Sequence, residues 1–138
     1  MDALMFIDTS VFVAILCGEP EAPLFAAAIE RAARRFTSPM VRLETCMVAS
    51  TRLDRSPADV EMDFDAILIE AAIEVAPITD ETSRLAVRAF ERFGKGRGTA
   101  ARLNLADCFS YASARALGAP ILFKGRDFAA TELGVAVY

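Results

Sequence analysis

Short β-rich runs alternate with stretches of helical periodicity along almost the whole of this 138-residue chain, and this alternation restricts the folds open to it more than any other feature. Neighbouring parallel strands need a crossover of a dozen or more residues, which a helix supplies, so strands that take turns with helices imply βαβ units. The expectation is an α/β fold in three layers, α/β/α, with helices covering both faces of a central parallel sheet. Sheets of this kind bind ligands beyond the carboxyl ends of their strands. That edge is where chemistry is expected.

The strand candidates are Leu4 to Ile7, Arg35 to Ser38, Glu74 to Pro77, Pro120 to Phe123 and a terminal run from Val135 to Tyr138. Between them, helical periodicity marks Glu21 to Arg35 (apolar face Phe25, Ala28, Ile29, Ala32), Met40 to Arg55, and Pro57 to about Ala72, with Pro57 in the first turn, where its missing N–H costs nothing. Asp80 to Phe93 is the most regular helix, with Ala86, Ala89, Phe90 and Phe93 on one face and Arg84, Arg88, Arg92 and Lys95 on the other. Gly94 to Gly98 reads as a basic loop, Leu105 to Leu117 as a further helix, and Arg126 to Leu133 as a short helix or turn. With no repeat, linker or low-complexity segment, a single domain is expected over residues 1–138.

No apolar run approaches the ~20 residues that span a bilayer. The apolar opening has no basic leader and is interrupted by Asp8, so it reads as a strand and the start of a helix and not as a signal peptide. Cys17, Cys46 and Cys108 are odd in number and widely spaced, which suggests neither disulfides nor a metal knuckle and fits a reducing cytoplasm. The net charge of −4 argues against a protein that holds nucleic acid by bulk attraction alone. Setting aside four candidate site acids, however, leaves 15 acidic residues against 15 Lys and Arg, so local basic patches remain open. The absence of histidine excludes a two-histidine ribonuclease, a Ser-His-Asp hydrolase and a His-ligated zinc site.

The four acids are Asp8, Glu44, Asp107 and Asp127. Asp8 follows the first strand directly and Asp127 lies a few residues past the fourth, so both fall at the binding edge, although either could simply cap the helix that follows. Glu44 shares a helix face with Val41, Thr45 and Val48, an apolar setting in which acids are rare unless paired or metal-bound. Asp107 stands three residues after Asn104 at a helix start, where a cap and the helix dipole would also account for it. The conjunction says more than any one acid. Carboxylates converging on one edge repel each other unless a cation sits among them, and an all-carboxylate set selects Mg²⁺ or Mn²⁺. Such ions activate water and neutralise phosphorus in phosphodiester hydrolysis.

Several segments resemble, in order, the motifs of PIN-domain toxins of the VapC type. Phe6-Ile7-Asp8-Thr9-Ser10, followed by apolar Val11 to Leu16 and Gly18-Glu19-Pro20-Glu21, resembles their opening, and Ser38 to Glu44 their second acidic motif. Gly94 to Arg97 with Leu103 to Ala112 resembles the third, and Leu122 to Phe128 the fourth. The resemblance implies a PIN-like sheet of about five parallel strands, Mg²⁺ or Mn²⁺ dependence, endoribonuclease activity, homodimerisation and inhibition by a cognate VapB-like antitoxin. It assigns Asp8, Glu44, Asp107 and Asp127 as the acidic quartet and Ser10 as the hydroxyl supporting the first acid.

Two other functions fit the same residues less well. A phosphatase using Asp8 as nucleophile would want a second Asp two positions later, where this chain has Ser10. A catalytically silent PIN-like module that only binds RNA or protein would not need the acids. For RNA contact the sequence offers Arg84, Arg88, Arg92, Lys95 and Arg97, with Arg31, Arg34 and Arg35 as a second patch, against the plain alternative of a solvated helix face.

Overall fold

In the computed structural model, which describes residues 3–138, four parallel strands form one sheet in the order β3-β2-β1-β4. They are β1 (Leu4–Ile7), β2 (Arg34–Thr37), β3 (Ile73–Val75) and β4 (Ile121–Leu122). Residues 1 and 2, included in the expected domain, lie outside the described residues. The helices are α1 (Thr9–Leu16), α2 (Ala22–Arg31), α3 (Pro39–Leu53), α4 (Pro57–Glu70), α5 (Asp80–Phe93) and α6 (Leu105–Leu117), followed by a 3-10 turn at Phe128–Ala130. The result is a three-layer α/β/α sandwich. β1 is fully flanked, pairing with β2 through Leu4–Arg34 to Phe6–Phe36 and with β4 through Phe6–Ile121 and Ile7–Leu122.

The order places β2 and β3 on one side of β1 and β4 on the other, so the chain reverses its direction of winding between β1 and β4. A crevice opens at such a reversal, outside the carboxyl ends of the two strands. Phe6, Ile7, Ile121 and Leu122 are completely buried, and the Phe12 and Phe64 rings pack at 4.6 Å between centroids, tilted by 45°. Thr37 at the end of β2 donates to the carbonyl of Ile7 at 2.9 Å. The carboxyl ends of β1 and β2 are thereby tied together.

Three expectations need correction. The helix expected over Glu21 to Arg35 ends at Arg31, because Ala33 and Arg34 donate their backbone N–H groups to the Ala3 carbonyl and the chain joins the sheet at Arg34. The third strand covers Ile73–Val75 and not Glu74 to Pro77. The terminal strand over Val135 to Tyr138 reduces to one parallel bridge between Val135 and Ile121, in which the Ile121 N–H donates to the Gly134 carbonyl and the Ala136 N–H to the Ile121 carbonyl, both at 2.9 Å.

The loop from Gly94 to Leu103 is closed by two backbone bonds, Lys95 to the Leu103 carbonyl and Leu103 to the Phe93 carbonyl, both 2.8 Å. Gly94 has no freedom to be anything larger: a Cβ there would lie 2.3 Å from Phe90 Cδ1. This closure sets α6 against α5 and fixes where α6 begins.

Candidate active site

Beyond the carboxyl ends of β1 and β4 lies a cleft of about 220 Å³, and Asp8, Ser10, Glu44, Asp107 and Asp127 all line it. Asp8 leaves β1 with extended backbone and caps α1, its carboxylate accepting the Ser10 N–H at 3.1 Å and the Ser10 hydroxyl at 2.8 Å. The side chain is nearly inaccessible, at 6% exposure. Burial pushes its pKa up, and hydrogen bonds from Ser10, with smaller help from Ser110 and Thr9, hold that rise back. The Ser10 hydroxyl also accepts the Lys124 N–H at 2.8 Å. One hydroxyl thus fastens the turn after β4 to the end of β1.

Glu44 is carried by α3, whose start is set by Ser38 accepting the Val41 N–H at 3.3 Å and by Pro39 in the first turn. Val41 and Thr45 point into the protein, and half-buried Glu44 and Val48 face the cleft. Burial raises the Glu44 pKa and the charge of Asp8 adds to the rise, opposed by the nearby Thr9 hydroxyl. That hydroxyl is buried without a hydrogen-bond partner in this geometry.

Asp107 is the third residue of α6 and forms a reciprocal cap with Asn104. Asn104 Oδ1 accepts the Asp107 N–H at 2.9 Å, and Asp107 Oδ2 accepts the Asn104 N–H at 3.1 Å. Its pKa is pushed up to about 7, first by burial, with the charges of Asp8, Glu44 and Asp127 adding to it against the Asn104 backbone bond. Asp127 is exposed in the turn after β4 and makes no capping hydrogen bond to the 3-10 turn that follows. For Asp8 and Asp107, then, capping and lining the cleft are one arrangement and not alternatives; for Asp127 the cap is absent.

No three acidic or cysteine side chains among the described residues stand close enough to share an ion as they lie. The donor chemistry still suits Mg²⁺ or Mn²⁺, since such ions keep several waters and need only one or two direct carboxylates beside substrate phosphate.

A PIN-domain family model matches residues 5–133. The chain belongs to the PIN-domain family. Its curated relatives include Ribonuclease VapC30 of Mycobacterium tuberculosis, 40% identical over 129 residues covering 94% of this chain and 95% of that one. Ribonuclease VapC42 of the same organism is 36% identical over 129 residues, covering 94% and 96%. Among solved structures, Mycobacterium tuberculosis VapC20, described as a Sarcin-Ricin loop cleaving toxin, aligns with a TM-score of 0.76 at 20% identity, covering 96% of this chain and 98% of that one. A toxin-antitoxin complex from Klebsiella pneumoniae gives 0.71 at 17%, covering 97% and 98%. The last two show the PIN fold, and the first two place this PIN domain among the VapC ribonucleases.

The cations singled out in the sequence do not reach the cleft of this PIN domain. Arg84 pairs with Asp80 at 2.9 Å, Arg88 donates to the Arg84 carbonyl, and Arg92 pairs with Glu132 at 3.2 Å. Lys95 lines a separate apolar groove, and Arg97 lies over the Phe90 ring. Arg34 and Arg35 are likewise engaged, with Glu74 and with the Ala71 and Glu30 carbonyls. The cations that do line the cleft are Arg52, Lys124 and Arg126, which sequence reasoning passed over. Arg52 carried a usable signal, standing at i+8 from Glu44 with Val48 between them on one face of α3. Lys124 and Arg126 carried another, by sharing a turn with Asp127.

Proposed function

We propose that this PIN domain is an endoribonuclease, the toxin of a VapBC-type toxin-antitoxin pair, which hydrolyses RNA phosphodiester bonds at the acidic cleft with Mg²⁺ or Mn²⁺. The observation that carries the proposal is that carboxylates from four separate segments line one cleft, where burial first, and then the charges of Asp8, Glu44 and Asp127, raise the pKa of Asp107 to about 7. Isolated caps would not perturb one another in this way. Asp8, Glu44, Asp107 and Asp127 would hold the ion, which supplies positive charge to the scissile phosphate and lowers the pKa of the attacking water. Ser10 holds Asp8 in place, and its two hydrogen bonds favour the charged form against the burial that raises the pKa. The Asn104 N–H occupies Asp107 Oδ2 and leaves Oδ1 for the ion or for a proton. Attack by water, and not by the ribose 2′-hydroxyl, leaves 5′-phosphate and 3′-hydroxyl ends.

The same proposal gives the protein RNA as substrate, a cognate VapB-like antitoxin as partner, a homodimer as its assembly and the cytoplasm as its location. In keeping with this, its three cysteines are free thiols, and no helix among the described residues is long and apolar enough to cross a membrane. The test is cleavage of RNA by the purified, antitoxin-free protein. Activity with Mg²⁺ or Mn²⁺ that stops in EDTA is expected, and cyclic phosphate products would refute water attack. One other function is a silent RNA- or protein-binding module. That alternative predicts RNA binding with no metal-dependent cleavage.

A further inference from the structure

RNA is a polyanion, and a cleft floored by four carboxylates repels it. Any strand that enters must be held by cations near the floor. Three cations line this cleft, and they come from two segments that also carry its acids. Arg52 lies eight residues after Glu44 on α3, about 12 Å further along the helix at 1.5 Å per residue. Lys124 and Arg126 lie in the turn after β4, and Arg126 is bonded directly to Asp127.

Glu19, in the connection between α1 and α2, joins the two segments. Its Oε2 accepts from Arg52 at 2.8 Å and its Oε1 from Lys124 at 2.9 Å, while Glu21 takes Lys124 at 3.1 Å. This shared counter-ion holds two cations at the cleft before any substrate arrives. Arg126 differs. It is exposed and makes no side-chain hydrogen bond or ion pair among the described residues, whereas Arg84 and Arg92 on α5 are both paired.

We propose that Arg126, Lys124 and Arg52 form a phosphate-binding rim that holds the RNA strand over the carboxylates. Arg126 takes the phosphate nearest the scissile bond because it adjoins Asp127, and Arg52 takes one further along the strand. The basic face of α5 has no part in this grip. The inference rests on the ribonuclease proposal, and it assigns the residues that position the substrate.

The test is binding of a short, mixed-sequence single-stranded RNA to the full chain carrying Asp8→Asn, in Mg²⁺, followed by fluorescence anisotropy over a range of salt. Each phosphate contact on a single strand contributes about 0.7 to the slope of log K against log salt. Adding Arg126→Ala should therefore flatten the slope by about 0.7, and Arg126→Lys should restore it. Arg126 touches nothing that folding needs, so the variant reports on binding. In the otherwise native protein, Arg126→Ala should raise KM with kcat little changed. Arg84→Ala and Arg88→Ala should leave the slope as it was. If Arg126→Ala leaves the slope unchanged while the α5 variants flatten it, the rim is wrong and the ribonuclease proposal stands. If the parent chain binds no RNA at any salt, both fall together.

Discussion

Replacing Asp107 by Asn removes one charge from the cleft and leaves the cap of α6 standing, because an amide Oδ1 can accept the Asn104 N–H that Asp107 Oδ2 accepts at 3.1 Å. In the folded protein Asp107 has a pKa of about 7 against an ordinary 3.8. A carboxyl whose folded pKa is raised keeps its proton longer in the native state than in the unfolded chain, so stability is lost as pH rises from the lower value through the higher one. Between pH 5 and the folded pKa, roughly two units at 1.4 kcal/mol each, that amounts to at most about 3 kcal/mol. Solvent at the mouth of the cleft about halves it. The wild type should therefore lose about 1.5 kcal/mol, or roughly 5 °C in Tm, at this one residue between pH 5 and pH 8.5 in EDTA. Asp107→Asn should not show this loss and should melt higher than wild type at pH 8.5, with a smaller advantage at pH 5. Paired thermal melts at the two pH values measure it. Were Asp107→Asn destabilising by the same amount at both, Asp107 would be a helix cap only, and its repulsion by Asp8, Glu44 and Asp127 would not be felt.

Three further outcomes are expected. Ser10→Ala removes the 2.8 Å bond to Asp8 and the acceptor of the Lys124 N–H, which should cost about 1–3 kcal/mol by urea denaturation. It should also move the acidic limb of the pH-rate profile upward, because a donor to the charged form of Asp8 is lost; a stability equal to wild type would refute the role given to Ser10. Mg²⁺ at a hundredfold excess over its Kd should stabilise wild type by about 2.7 kcal/mol, read as a rise in Tm, and Asp8→Asn should shrink that rise. An antitoxin that inserts an Arg or Lys among the carboxylates competes with the ion, so its affinity measured by calorimetry should weaken as Mg²⁺ rises, and tightening would exclude competition.

The elements that local chemistry defines were legible in the sequence. Pro57 in a first turn and Asn104 as a cap mark helix starts, and α4 and α6 begin there. The end of α2 was not legible, because Ala32 to Arg35 can continue a helix as well as a strand and only pairing to Ala3 and β1 decides between them. The acids were visible at strand ends and on one helix face. What remained hidden was that Asp8 and Asp107 cap their helices and line the cleft at once, a fact that depends on how α1 and α6 are set against β1. The rim was hidden for a related reason. Arg52 and Lys124 are distant in sequence and meet only through Glu19, while the α5 arginines, conspicuous as a stripe, do not line the cleft.

The most direct test of RNA hydrolysis at the acidic cleft is to sequence the 5′ ends of cellular RNA after inducing the wild type and, separately, Asp8→Asn. New 5′-monophosphate ends at a restricted set of sites are expected with the wild type and should be missing with Asp8→Asn, whose amide oxygen can still accept from Ser10 and so cap α1. The same ends appearing with Asp8→Asn, or new ends that carry a 5′-hydroxyl, would contradict a carboxylate-dependent attack by water.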